Sequence, residues 1–232
     1  MKTKVKENRG KIMLPIILTI CLLLAAGGWG TAIYFNMTRT PRLNPGAHEN
    51  LMSNPLMATA DSGLLQAIER RNSARRGDFT GNDISEDALQ LLGWAATGKN
   101  RDGTGFVIPL AMGAEPYVSL YLAQESGVRR FSWESNDFAN VIDSNILGKV
   151  SGGQNASAVW IFVIDIDNVP SGNMGWAWHT IGAMSEHQYL VADELDIQAR
   201  FMASINADEV AALLGLDTSK NLPAGVMLMA QK

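Results

Sequence analysis

The sequence has almost no cysteine. The single one, Cys21, lies inside a long apolar run near the N-terminus. The rest of the chain therefore has no thiol nucleophile and no cysteine-ligated metal, and it suits an oxidising compartment without proving one. Histidine is nearly as scarce: His48, His179 and His187 are the only three. His48 lies in a low-complexity stretch. The other two are eight residues apart with no further ligands in reach of argument, so they read as polar surface or satisfied core groups rather than a metal site. There is no Gly-x-Ser-x-Gly elbow, no Walker loop and no dinucleotide fingerprint. "GKNRDGTG" lacks the Lys-Ser ending of a nucleotide loop and reads as an exposed turn. No internal repeat is present.

What is there begins with residues 12–35, "IMLPIILTICLLLAAGGWGTAIYF", which carry no charge. About 20 such residues span a bilayer core at about 1.5 Å per residue. Five basic residues and one acidic residue precede this run, and Arg39 and Arg42 follow it. The positive-inside rule then predicts a cytoplasmic leader at 1–11, a transmembrane anchor at 12–35 and an extracytoplasmic remainder at the cell membrane. The competing reading is a signal peptide cleaved near "LAAGGWG", giving a secreted or periplasmic protein. Beyond Lys11 there are 14 basic against 22 acidic residues, a balance of −8. So acidic a domain argues against nucleic acid as a partner.

Residues 36–61 are rich in Pro, Asn and small residues and read as a linker or arm. A folded domain over 62–232 follows. Ser62 is the expected cap of a helix through Arg70, with Leu64, Leu65 and Ile68 on its apolar face. Ser85 caps a second helix closed by Gly98, burying Leu89, Leu92 and Ala96. "YVSLYLAQESGVRRFSW" alternates as a hairpin turning at Ser126-Gly127. "SNDFANVIDSNIL" is expected to be a helix from Ser135, and "SAVWIFVIDI" a central strand covered on both faces. Residues 174–195 form the longest helical pattern, with Ala183, His187, Leu190 and Val191 on one face and the tryptophans of "NMGWAWHT" as packing groups. "NADEVAALLG" is a helix capped by Asn206, and "AGVMLMA" a last strand. "SGGQNAS" reads as a plain connection. Asp165, Asp167 and Asp196 show no arguable pairing. The sum is α+β.

The unusual feature is "RRNSARR", four arginines within seven residues. In an extended segment alternate residues point the same way, so Arg71, Ser73 and Arg75 are set to converge on one anion, with Asn72 opposite. A phosphate monoester wants such guanidinium forks and a hydroxyl. A solvated basic surface is the bland alternative.

These residues also carry a resemblance. The run Arg71-Asn72-Ser73-Ala74-Arg75, followed by Ile84 to Arg101 with Trp94, Ala95, Ala96, Gly98 and Asn100, is similar to the opening of the FMN-dependent nitroreductase fold. It is closest to a short subgroup akin to dehydrogenases that oxidise azolines to azoles. The later elements follow in that family's order, so the resemblance spans about Leu64 to Lys232. It implies a central antiparallel sheet flanked by helices, a homodimer, FMN at the subunit interface, and hydride relayed from NAD(P)H or another donor to a small-molecule acceptor. Arg71, Asn72, Ser73 and Arg75 would hold the phosphate and ribityl chain, with Arg200 and Lys232 as late cations. Pro109, Leu110 and Gly113 stand at the run whose polar groups meet the flavin ring. Leu110 replaces an expected serine, Gly113 an expected asparagine, and Glu186 an expected glutamine. No twin-arginine pair accompanies the leader, so a folded flavoprotein has no evident export signal.

Overall fold

The computed structural model describes residues 63–75, 77–150 and 155–232. The expected leader, anchor and linker, and Ser62 as a cap, lie outside the described residues. Among the described residues no helix is long and apolar enough to cross a membrane.

The order of elements is α1 (Gly63–Arg70), α2 (Glu86–Thr97), β1 (Lys99–Asn100), β2 (Gly105–Phe106), β3 (Val118–Gln124), β4 (Gly127–Ser132), β5 (Asp137–Ile142), β6 (Ala158–Asp165), α3 (Met174–Glu194), β7 (Ile197–Met202), α4 (Ala207–Leu214) and β8 (Asn221–Gln231). Six strands form one sheet in the order β5-β4-β3-β6-β8-β7, and every pairing is antiparallel. β1 and β2 make a separate small hairpin over "GKNRDGTG".

Both sheet faces are buried, which the near-continuous apolar run of β6 requires. Trp160, Phe162 and Ile164 point into a core shared with Leu89, Leu92 and Ala96 of α2 and with Ile181 and Met184 of α3. Val159, Ile161 and Val163 point into a second core with Val210 and Leu214 of α4. Residues at a spacing of two thus feed opposite layers. Pro223 lies within β8 because the β6–β8 register slips between Phe162 and Val163, and the bulge accommodates a residue that cannot donate to the ladder.

Capping follows the sequence. The Ser85 side chain accepts from the Ala88 N–H at 3.3 Å, with Glu86 and Asp87 in the first turn, where acidic side chains complement the helix dipole. Asn206 caps α4 through the Glu209 N–H, and Gly215 closes it at φ 66°.

Four local expectations are corrected. Residues 137–142 are a strand, not part of a helix beginning at Ser135. β5 is an edge strand paired to β4, and Phe138 packs edge-on against Phe131 at 5.3 Å. A partner strand decides that segment, and its own propensity does not. The hairpin turns at Glu125-Ser126, with Gln124 opposite Gly127. The buried stripe of α3 is Ala177, Thr180, Ile181, Met184, Ser185, Gln188, Tyr189 and Ala192, and Ala183, His187, Leu190 and Val191 are only half-buried. Leu64, Ile68, Trp176 and Trp178 are not packed: their exposures run from 39% to 59%.

Candidate functional site

The site is built on the free edge of the sheet. β7 pairs with β8 on one side only, so its outer backbone groups need other partners. The chain leaving α1 supplies one. The Ala74 N–H donates to the Ala199 carbonyl at 2.9 Å, and the Arg200 guanidinium returns a bond to the Ala74 carbonyl at 3.0 Å. The segment is thus tied to β7 at Ala74, while the Arg71 N–H still donates to the Ala67 carbonyl at 2.8 Å and prolongs α1.

Tyr189 of α3 fixes the far end. Its hydroxyl accepts from the Phe201 N–H at 2.6 Å and shares a hydrogen bond with Ser73 Oγ at 3.1 Å. The Arg71 guanidinium lies over its ring at 5.1 Å. Arg71 and Ser73 are thus brought to the same tyrosine. The Asn72 amide donates to the Arg70 carbonyl at 3.2 Å, and Asn72 lines a cavity of about 200 Å³ with Ala74, Tyr189, Asp193, Gln198 and Lys232, so Asn72 and the tyrosine that meets Ser73 border one space, not opposite sides. Arg75 is exposed; its backbone N–H donates to Asp78 at 2.7 Å, and its guanidinium meets no acceptor among the described residues.

The charges are partly spoken for. Arg71 pairs with Glu186 at 3.4 Å, Arg70 with Asp193 at 3.0 Å, and Lys232 with Asp196 at 2.7 Å. The last is a pairing that spacing alone did not suggest. The Arg71–Glu186 and Lys232–Asp196 pairs are solvent-accessible, worth about 0–1 kcal/mol each, and an incoming polyanion can displace them. Arg200 has a buried Nε with no partner, a donor held out of water beside the same segment.

Pro109, Leu110 and Gly113 lie elsewhere. Pro109 and Leu110 line a cavity of about 280 Å³ with Tyr117, Trp176, His179 and Thr180, and Gly113 joins them beside Asn100 and Arg101 in an adjacent one. The segment is held by Tyr117, whose hydroxyl accepts from the Ala111 N–H at 3.4 Å and meets Thr180 Oγ1 at 2.7 Å. Thr180 and Tyr189 are nine residues apart on α3, about 14 Å along its axis. Within one chain, then, the arginine segment and the Leu110 segment occupy opposite stretches of one helix. His187 is satisfied by the Ala95 carbonyl at 3.0 Å, and no group of metal-ligating residues occurs among the described residues.

Sequence reasoning missed Tyr189, Tyr117 and Thr180, the residues that position both segments. Their signal was weak but physical: a tyrosine on a buried helical stripe brings a hydroxyl that needs a partner.

No family model and no curated protein matches the sequence. Solved structures do. A Ralstonia eutropha protein classed as a nitroreductase superposes with a TM-score of 0.65 at 22% identity, covering 74% of this chain and 85% of its own. A chain of the Escherichia coli microcin synthetase McbBCD, solved with truncated pro-MccB17 bound, gives 0.58 at 18% identity over 65% of each chain. A Desulfovibrio desulfuricans protein classed as a nitroreductase, solved in complex with FMN, gives 0.53 at 16% identity over 74% of this chain and 87% of its own. Together with the antiparallel sheet and its flanking helices, these neighbours show that the described domain has the nitroreductase fold.

Proposed function

We propose that this chain is an FMN-dependent oxidoreductase that works as a membrane-anchored homodimer outside the cytoplasm. The observation that carries the reading is the 71–75 segment, tied to the edge of β7 at Ala74 in a nitroreductase fold, with no partner for the Arg75 guanidinium among the described residues. The residues have the chemistry of a phosphate site: the Arg71 guanidinium and the Ser73 hydroxyl meet at Tyr189, and Arg75, Arg200 and Lys232 supply further cations. Arg71 and Arg75 hold the anion, Ser73 orients it, and Asn72 faces the ribityl side. Pro109, Leu110 and Gly113 border the ring. When bound, the flavin supplies the hydride chemistry, accepting from NAD(P)H or another donor and passing on to a small acceptor. The protein orients it, and the apolar Leu110 wall keeps water from its surroundings.

The homodimer is supported by uncovered apolar surface. Leu64, Ile68, Leu91, Trp94, Trp176 and Trp178 are all substantially exposed, and large apolar side chains in water are candidates for cover by a second copy. The anchor rests on the uncharged run at 12–35. The chain purified with FMN supplied should be a yellow dimer whose colour is bleached by NADH, NADPH or dithionite. A colourless protein that takes up no FMN on titration would defeat the reading.

A second reading has its own observation. Glu186 sits on Arg71 and Asp196 on Lys232, and Leu110 and Gly113 lack the polar groups expected opposite a flavin ring. On that basis the fold persists as a non-catalytic binding or scaffold module with a degenerate site. Dimerisation and ligand binding without any reduction of flavin would select it.

A further inference from the structure

A pocket away from the flavin region lies where the sheet splits. β3 and β4 pair from Gln124 opposite Gly127 up to Tyr121 opposite Arg130, and no further. β3 continues to Val118 beside β6, and β4 continues to Ser132 beside β5. The strands therefore diverge into a fork, and a cavity of about 280 Å³ fills it. That is near the lower end of small-molecule pockets, roughly 300–1,000 Å³.

The chemistry of the lining is specific. Thr97 is 3% exposed, and its hydroxyl is buried with no hydrogen-bond partner, a costly arrangement for a polar group. Arg130 reaches across the fork to Ser119 Oγ at 2.9 Å. It has no carboxylate partner among the described residues, so most of its five donors are free. Glu134 lines the same cavity and is held only by the Ser132 hydroxyl at 2.9 Å. Trp133 is fixed between Phe106, edge-on at 5.3 Å, and the Lys99 ammonium at 4.8 Å. A cation and a carboxylate without ionic partners among the described residues, a hydroxyl and the Trp133 ring thus border one small space.

We propose that this fork binds a small zwitterion of the α-amino-acid type with a flat apolar side chain. The carboxylate is taken by Arg130 and Ser119, the ammonium by Glu134, and the side chain rests on Trp133. A ligand with one charge would satisfy one wall and leave the other unmatched. The site shares no residue with the flavin segments, so it stands or falls independently of them.

The test is calorimetric titration of the full-length chain in detergent with three probes: L-phenylalanine, phenylacetate and phenethylamine. L-Phenylalanine is expected to bind saturably, and each probe lacking one charge at least about tenfold more weakly. Arg130→Gln should weaken L-phenylalanine by about tenfold while leaving phenethylamine unchanged, and Glu134→Gln should spare phenylacetate in the same way. Both side chains are exposed, so circular dichroism should show a native fold; if Arg130→Gln unfolds, Glu134→Gln decides alone. No saturable heat from L-phenylalanine up to about 10 mM, equal affinity for all three probes, or indifference to Arg130→Gln and Glu134→Gln would overturn the proposal.

Discussion

Replacing Tyr189 by Phe removes one oxygen and tests how the arginine segment is held. That oxygen accepts from the Phe201 N–H at 2.6 Å and meets Ser73 Oγ at 3.1 Å. Phe201 faces the unpaired edge of β7, so its N–H has no strand to turn to. Tyr189 is 8% exposed, so removing its hydroxyl strips the Phe201 N–H of its partner. Leaving a half-buried donor unsatisfied costs about 1–2 kcal/mol. For a domain of this size, each kcal/mol lowers Tm by about 2–4 °C, so the expected loss is roughly 2–8 °C. Ser73→Ala removes only the second bond and leaves Tyr189 accepting from Phe201; it should cost about 0.5 kcal/mol or less. The double variant should then cost less than the two single changes added together, because they share a bond. Thermal melts followed by circular dichroism give the stabilities, and amide exchange at Phe201 reports the site directly. A Tyr189→Phe protein melting within about 1 °C of the parent, or a Ser73→Ala change costing as much as Tyr189→Phe, would refute the reasoning.

Other outcomes follow from single positions. Gly93 has no room for a side chain, since an added Cβ would lie 2.5 Å from Phe131 Cε2; Gly93→Ala should cost about 1–3 kcal/mol by urea denaturation. Gln188 is fully buried, with only a 3.5 Å bond to the Leu92 carbonyl and an unpartnered Oε1; Gln188→Met should leave stability unchanged or raise it by about 1 kcal/mol in the same assay. The hydroxyl and backbone N–H of Ser219 hold the Asp217 carboxyl below the usual carboxylate range. Its contribution is therefore present above the ordinary value and lost as pH falls through the lowered one. Ser219→Ala should move the Asp217 titration upward in an NMR pH series, and an unmoved titration would rule out the hydroxyl as its cause.

How far the fold could be read in advance depended on whether local pattern and tertiary burial agreed. They agree in β6, whose apolar run from Ala158 to Ile164 needs two covered faces, and in α2 and α4, where Ser85 and Asn206 announce the starts. They part in β5, because Asp137–Ile142 has little apolar alternation and is a strand only through β4. They part again in α3, whose buried stripe contains Thr180, Ser185, Gln188 and Tyr189. Hydropathy assigns such residues to water, whereas here each hydroxyl or amide finds, or half finds, a partner inside. The spacing of two between Arg71 and Ser73 was legible, and both reach Tyr189; that Asn72 borders the same tyrosine's cavity was not. Glu186 on Arg71 and Asp196 on Lys232 were not, since those partners lie far apart in the chain and only the completed sheet edge brings them together.

The central claim is that the 71–75 segment grips the phosphate of FMN, and a flavin titration of the purified full-length chain tests it most directly. The account predicts saturable uptake of FMN with a protein-shifted visible spectrum. Riboflavin, which lacks the phosphate, should bind far more weakly, and Arg71→Ala combined with Arg75→Ala should abolish that preference while the domain stays folded. Equal binding of FMN and riboflavin, or no uptake of either, would contradict it.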